Sequence, residues 1–135
     1  MAKVMALDLG DQWIGSALSD ISRMFVKPYK TIKADELKDF LNKTIAEEKI
    51  TEIVIGYPKT MRGTESDQTK KVVEQKKELE ALYPQIKFIL WDERLSSKRA
   101  QNLKSAKNKE DKLKSHSIAA AFILDSYISF LNLAK

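Results

Sequence analysis

One short stretch near the start of the chain, residues 4–10, constrains the fold most strongly. It reads Val-Met-Ala-Leu-Asp-Leu-Gly, an apolar run interrupted once by Asp8 and ended by Gly10. Apolar runs of about four to eight residues that end at a turn residue predict a buried strand. A buried carboxylate is costly unless it is paired, so Asp8 requires a basic side chain, backbone N–H groups or a metal ion. The structural alternative is an Asp that caps the turn.

Residue usage limits which kinds of site the chain can carry. Its 135 residues predict one domain, spanning 1–135. The chain has no Cys and a single His, which excludes disulfides, zinc–thiolate sites, Cys nucleophiles and multi-His metal sites. A metal would have to be held mainly by oxygen ligands, which favours Mg²⁺ or Mn²⁺.

The sequence gives no sign of export or membrane insertion. Asp8 interrupts the first apolar run and no small-residue cleavage site follows, so residues 1–20 do not read as a signal peptide. No stretch is expected to reach the roughly 20 apolar residues needed to span a membrane. We therefore expect a cytoplasmic protein.

The net charge of +5 is concentrated in one segment. Residues 1–93 are close to neutral, with 15 basic and 16 acidic residues, whereas residues 94–116 hold eight basic residues and two acidic ones. Such a local basic stripe indicates binding to a phosphate backbone; the alternative is a solvated Lys-rich loop. The candidate nucleic-acid-binding residues are Arg94, Lys98, Arg99, Lys104, Lys107, Lys109, Lys112 and Lys114.

Hydrophobic periodicity predicts an α/β fold, a five-stranded mixed sheet flanked by helices, with the element order βββαβαβα(α), in which a further helical pattern starts at Leu95. The short loop after Gly10 predicts that the first two strands form a hairpin, and the first three strands are expected to be antiparallel. Later strands separated by helices indicate parallel crossovers. The predicted elements are strands at 4–10, 13–20, 25–32, 52–56 and 87–91, and helices from 35, at 65–82 and at 115–133.

Carboxylates follow two of these strands: Asp8 ends the first, and Asp92 and Glu93 end the fifth. If both strands are central and parallel, the acids converge at one edge of the sheet. Converging carboxylates repel one another unless a divalent cation neutralises them, and this is the arrangement of two-metal phosphodiester hydrolysis. His116, expected in the first turn of the last helix, could ligate Mn²⁺; the alternative is a surface or capping His.

Several motifs together closely resemble the YqgF/RuvX-type family, described as Holliday-junction-resolvase-like proteins and pre-16S rRNA nucleases. The resemblance runs from about Lys3 to Leu131. Its motifs are Asp-Leu-Gly at 8–10, Ile-Gly at 14–15, Val-Ile-Gly-Tyr-Pro at 54–58, Trp-Asp-Glu-Arg-Leu-Ser at 91–96 and Ser-Ile-Ala-Ala-Ala at 117–121. The resemblance implies an RNase H-like fold and a metal-dependent nuclease. The implied partners are pre-16S rRNA in ribosomal precursor particles and, as a second substrate, branched DNA.

Position by position, the resemblance implies roles for five residues. Asp8 matches the first catalytic acid, and Asp92 and Glu93 match the acids after the fifth strand. Arg94 matches a neighbouring basic residue suited to a phosphate contact. His116 stands where the family usually has Asp; an imidazole still ligates Mn²⁺ but weakens binding of Mg²⁺. The implied catalytic and metal-binding set is therefore Asp8, Asp92, Glu93 and His116.

Two further departures from the family pattern concern substrate contacts. The turn after the first acid reads Asp-Gln-Trp at 11–13, where Thr and a basic pair are usual. The central loop reads Lys-Thr-Met-Arg at 59–62, where a more acidic, Asn-containing loop is usual. Both changes would alter how the substrate is gripped.

Three rival interpretations remain open at this point. The first is a catalytically weak nucleic-acid-binding factor for ribosome assembly on the same fold, which His116 favours. The second is an ATP-handling module, although the chain is too short for two such domains and has no P-loop with Lys. The third is an interaction domain whose strand-end acids are structural. Monomer and homodimer are equally compatible with the sequence.

Overall fold

The structure, a computed structural model, describes residues 2–10, 12–57, 67–92 and 109–133. Five strands, a short 3-10 helix (Ala34–Glu36) and three α-helices account for most of these residues. The strands are β1 (Lys3–Leu9), β2 (Trp13–Ser19), β3 (Val26–Lys33), β4 (Ile50–Tyr57) and β5 (Lys87–Asp92), and the helices are α1 (Leu37–Glu48), α2 (Asp67–Leu82) and α3 (Lys109–Leu133).

The five strands form one mixed sheet in the order β3-β2-β1-β4-β5. The first three strands are antiparallel, whereas β4 is parallel to β1 and β5 is parallel to β4. The predicted α/β class and the antiparallel start are therefore confirmed. The sequence left open whether the fifth strand is central. The crossover through α1 places β4 beside β1, so β5 pairs with β4 and is the last strand on that side of the sheet.

The β1–β2 hairpin and its neighbour β3 follow from local sequence. A backbone hydrogen bond from Gly10 N to Trp13 O, at 3.1 Å, closes the hairpin. The β2–β3 pairing shifts register between Gly15 and Ala17. There the Ser16 hydroxyl donates to Lys30 O at 2.6 Å and accepts from Lys30 N at 3.0 Å, so the irregularity leaves the backbone groups of Lys30 bonded.

The two faces of the sheet carry side chains of different size. Large aliphatic and aromatic residues, among them Met5, Leu7, Ile53 and Phe88, form the core on the face covered by α1 and α2. The opposite face is built from small residues such as Ala6 and Ala17, and packs against α3. Small side chains allow a helix to lie close to the sheet, so α3 approaches the strands closely on this face.

The last helix is longer than the sequence indicated. It begins at Lys109, so His116 lies about two turns inside α3 rather than in its first turn. Lys and Glu, which recur over residues 109–114, are good helix formers. Local helix propensity therefore favours an earlier helix start than the apolar pattern alone indicated. The further helical pattern predicted from Leu95 lies outside the described residues.

The expectation that no segment is long and apolar enough to cross a membrane also needs correction. Ser115–Leu133 passes that test by length and composition, with a mean hydropathy of 1.2. In the fold, residues such as Ala120, Ile123 and Leu124 of this segment are buried against the sheet. Its apolar composition therefore fits a helix that packs one side against the core of the sheet.

Candidate active site

Asp8 lies on the central strand of the sheet and is only 4% exposed. It is the last but one residue of β1, at the carboxyl end of the strand. Val4 and Ala6 belong to the cluster that packs against α3. Because side chains alternate along a strand, Asp8 also lies on the α3 face. The predicted burial of a carboxylate in this strand is therefore confirmed.

The residue opposite Asp8 is a glycine for a steric reason. Asp8 pairs with Gly15 of β2, and a Cβ atom on Gly15 would lie 1.9 Å from His116 O and 2.7 Å from Ser117 N. Real atoms do not approach so closely, so any side chain at position 15 would push α3 away from the sheet. Gly15 thus brings the backbone of His116 alongside the strand pair that holds Asp8.

His116 itself is half-buried, and the serines on both sides of it, Ser115 and Ser117, are buried. Sequence reasoning selected His116 from its position in a motif. It did not identify Gly15 as the residue that fixes the position of His116. The signal that could have identified it is a glycine inside an otherwise regular strand, which often marks a close backbone approach.

The fifth strand ends at the same edge of the sheet as β1, because β1, β4 and β5 are parallel. Asp92 is the last residue of β5, and its backbone pairs with Tyr57 of β4. Since β4 lies between them, the axes of β1 and β5 are about 10 Å apart. The carboxyl ends therefore share an edge but are not adjacent.

Trp91, just before this strand end, is anchored on α3. Its indole Nε1 donates to Ser126 Oγ at 3.1 Å, and its ring centroid lies 5.3 Å from that of Tyr127 in an edge-on arrangement. Trp91 packs against the same cluster as Ala6 and Val54. It therefore lies on the face of the sheet that carries Asp8.

The remaining predicted site residues are not tested by the structure. Glu93, Arg94, Lys98, Arg99, Lys104 and Lys107 lie outside the described residues. For Asp92, Lys109, Lys112 and Lys114 the description covers the backbone but not the side chains. Their assigned roles stay predictions.

The donor chemistry at Asp8 fits a hard divalent cation. A carboxylate at a strand end, nearly excluded from water, supplies the oxygen ligand that Mg²⁺ and Mn²⁺ prefer. In the described ranges, no group of three or more His, Cys, Asp or Glu side chains gathers into a metal site. Asp8 therefore fits as one ligand.

Sequence comparison places the chain among known proteins. Residues 2–129 match the family RuvX, described as Holliday junction resolvase. The chain belongs to the RuvX family. The family suggested by the strand-end acids and the Ser-Ile-Ala-Ala-Ala motif is thereby confirmed, and the RuvX description indicates a nuclease that acts on phosphodiester bonds.

Curated relatives in the RuvX family are similar over almost their whole length. A protein of Rubrobacter xylanophilus named "Putative pre-16S rRNA nuclease" is 33% identical over 127 residues, covering 93% of this chain and 91% of the relative. A protein of Thermoanaerobacter pseudethanolicus with the same name is 38% identical over 138 residues, with coverages of 93% and 95%. These names agree with the nuclease prediction.

Among solved structures, the fold is similar to that of RuvC from Thermus thermophilus in complex with a Holliday junction substrate. The TM-score is 0.67 at 10% identity, and the match covers 97% of this chain and 96% of RuvC. At that identity the likeness concerns the fold. It confirms the RNase H-like fold expected of a RuvX protein.

Proposed function

We propose that this RuvX protein is an endonuclease that processes the 5′ end of pre-16S rRNA. The observation that carries the proposal is the buried Asp8 at the carboxyl end of the central strand, held beside α3 by Gly15. The names of the relatives support the choice of substrate. Branched DNA is proposed as a second substrate, in keeping with the description of the family.

The proposed cofactor is Mg²⁺ or Mn²⁺, with Asp8, Asp92, Glu93 and His116 as the candidate ligands. Such an ion would neutralise charge on the scissile phosphate and lower the pKa of a water molecule. The chain itself contributes a carboxylate that is nearly excluded from water, because its strand is buried on both faces. Replacing the usual Asp by His116 removes one negative charge, which should shift the preference from Mg²⁺ towards Mn²⁺.

Strand alternation favours Glu93 as the partner of Asp8. Trp91 packs on the α3 face, which is also the face of Asp8. In a regular strand side chains alternate between the two faces, so the residue two positions after Trp91 would share its face. Glu93→Gln should therefore reduce cleavage more than Asp92→Asn, measured on the same substrate. An equal loss in both variants would mean that both acids are needed.

The basic residues of segment 94–116 are proposed to bind the phosphate backbone. Each ion pair formed with a phosphate releases counterions, so the affinity should fall steeply as salt increases. Replacing Lys107 and Lys109 by Gln should weaken binding and reduce the salt slope by about one per lost contact. If the dependence of affinity on salt concentration stayed unchanged, the phosphate backbone would have to bind elsewhere on the protein.

The decisive test is cleavage of a labelled pre-16S 5′ fragment by the purified protein. The reaction is run in Mg²⁺, in Mn²⁺ and in chelator, beside Asp8→Asn and beside a labelled four-way DNA junction. Cleavage that requires both a divalent ion and Asp8 supports the proposal. Cleavage in chelator, or by Asp8→Asn, contradicts it. The ratio of RNA to junction cleavage assigns the preferred substrate.

A second candidate function, an rRNA-binding assembly factor with weak catalysis, is favoured by His116. This alternative predicts tight binding without cleavage in every metal, and a gain of cleavage in His116→Asp. Both candidates are proposed to act as one domain spanning 1–135, in the cytoplasm, on ribosomal precursor particles.

A further inference from the structure

A groove of about 460 Å³ opens at the same edge of the sheet as Asp8. It is lined by Gln12 and by Trp13 at the start of β2, by Lys33 at the end of β3, and by Ala34 and Asp35 of the 3-10 helix. Trp13 is half-buried, and Gln12, Lys33 and Asp35 are exposed. An aromatic ring, a cation, an amide and a carboxylate thus share one accessible cleft.

Trp13, which lines the groove, lies close to Asp8 and on the same face of the sheet. Trp13 and Gly15 are two residues apart on β2, so they point to the same side, and Gly15 is the residue opposite Asp8. Two residues of strand span about 7 Å and neighbouring strands are about 5 Å apart. The backbones of Trp13 and Asp8 are therefore separated by about 8–9 Å, which two or three stacked nucleotides cover at a rise of about 3.4 Å each.

The groove walls are held in place by backbone bonds. Trp13 pairs with Lys33 across β2 and β3. Ala34 N donates to Gln12 O at 2.9 Å, and Gly10 N donates to Trp13 O at 3.1 Å. A ligand would not need to order these segments first, which lowers the entropic cost of binding.

We propose that this groove binds an unpaired nucleotide of the RNA substrate, two or three nucleotides from the scissile phosphate. The base stacks on the Trp13 indole, and a phosphate pairs with the Lys33 ammonium. Aromatic side chains and a nearby cation are the usual combination for single-stranded nucleic acid. Gln12 and Asp35 offer hydrogen bonds to the edge of the base. The inference rests on the proposed nuclease function and adds a subsite for an unpaired base beside the cleavage site.

A second exposed aromatic provides a matched control. Phe25 is 72% exposed in the β2–β3 turn. Together with Lys27 it lines a second cavity, separate from the groove at Trp13. This turn follows the carboxyl end of β2, so it is separated from the groove by the seven residues of that strand, or about 20 Å. Phe25 is therefore an accessible aromatic side chain near a lysine, as Trp13 is, but it is too far from Asp8 to contact the same nucleotide.

The test measures binding of a fluorescent pre-16S 5′ fragment in an Asp8→Asn background, which keeps the RNA intact. Trp13→Ala should weaken binding by about fivefold to a hundredfold, the range for loss of one base–aromatic stack. Trp13→Tyr should restore most of the affinity, and Phe25→Ala should change it by less than about twofold. Melting temperatures of all variants confirm that they are folded.

A double-mutant cycle locates the nucleotide. Single abasic residues are placed at successive positions on either side of the cleavage site. At one position within about three nucleotides, the abasic RNA should bind the Trp13→Ala protein and the parent equally. If no position removes the difference, or if Phe25→Ala weakens binding as much as Trp13→Ala, the subsite is disproved.

The outcome also separates this inference from the proposed function. If the wild-type protein cleaves the fragment but Trp13→Ala binds it normally, the nuclease stands and the subsite fails. If the wild-type protein never cleaves but affinity depends on Trp13 and on one base, the groove binds nucleotides and the nuclease proposal fails.

Discussion

At each of the two ends of the strands an aspartate lies beside a turn, Asp8 at one end of the sheet and Asp20 at the other. The environments of these two carboxylates are opposite. Asp20 follows β2 at the edge away from Asp8. Its carboxylate accepts hydrogen bonds from the Ser22 hydroxyl and from the backbone N–H groups of Met24 and Phe25. These bonds, that of Ser22 first, lower the pKa of Asp20 to about 2. Asp20 is a structural acid that organises the β2–β3 turn.

Arg23 of the same turn also makes polar contacts at the end of the sheet that carries Asp20. Arg23 Nε donates to Ala2 O at 2.9 Å, and its Nη1 lies 3.7 Å from a Glu52 carboxylate oxygen. Asp8, by contrast, is inside a strand, is almost fully buried and faces a glycine. The same residue type near a strand end thus serves a turn at one edge and a candidate catalytic site at the other, and burial distinguishes the two.

The largest expected effect on cleavage comes from replacing Asp8. Even changes outside the first ligand shell of a metal cost about 10- to 100-fold in activity, so Asp8→Asn should reduce cleavage by more than about a hundredfold. Asp20→Asn, the same change at the other edge, should leave cleavage within about twofold. Cleavage of a labelled pre-16S fragment measures both. Equal losses of cleavage in the two variants would show that Asp8 and Asp20 do not differ in function.

The second prediction concerns the close contact between α3 and Gly15 of the sheet. Gly15→Ala places a methyl group where His116 O now lies, so the helix must shift. We expect a loss of about 1–3 kcal/mol in the free energy of unfolding, typical of overpacking, together with weaker cleavage. Urea denaturation measures the first quantity. Ala81→Leu, a larger enlargement at an exposed position of α2, should affect neither. Normal stability in Gly15→Ala would contradict this packing.

A smaller effect is expected from a buried hydrogen bond away from the site. The Tyr127 hydroxyl of α3 donates to Glu52, which is 8% exposed at the start of β4. Burial, followed by this bond, raises the pKa of Tyr127. Tyr127→Phe removes this bond and leaves the carboxylate with the more distant Arg23 guanidinium, which should cost about 1–2 kcal/mol of unfolding free energy. Cleavage by the folded variant should stay normal; a selective loss of cleavage would link this network to the site.

The smallest effect is a pH dependence at the Asp20 turn. Because folding lowers the pKa of Asp20 from 3.8 to about 2, its charged form stabilises the fold above pH 3.8, and this contribution is lost as the pH falls towards 2. The difference in melting temperature between wild type and Asp20→Ala should therefore shrink over that interval. A difference that persists unchanged at pH 2 would mean that the charge of Asp20 is not responsible.

Much of the fold was predictable because it depends on neighbouring residues. The apolar run around Asp8, the short loop after Gly10 and the helical spacing of Leu37 and Leu41 each involve only a few consecutive positions. Local patterns of this kind determine strands, hairpins and helices directly. The buried state of Asp8 followed in the same way, since it stands inside a strand with apolar residues on both sides.

The sequence by itself thus determined the element order, the antiparallel start and the strand-end position of Asp8. Only the tertiary structure decided that β5 lies at the sheet edge, that His116 meets Gly15, and that Trp13 and Lys33 line one groove. These relations join residues about 20 to 100 positions apart. They depend on which strand each crossover places next to which, and on how closely a helix can approach small side chains, and no local pattern encodes either.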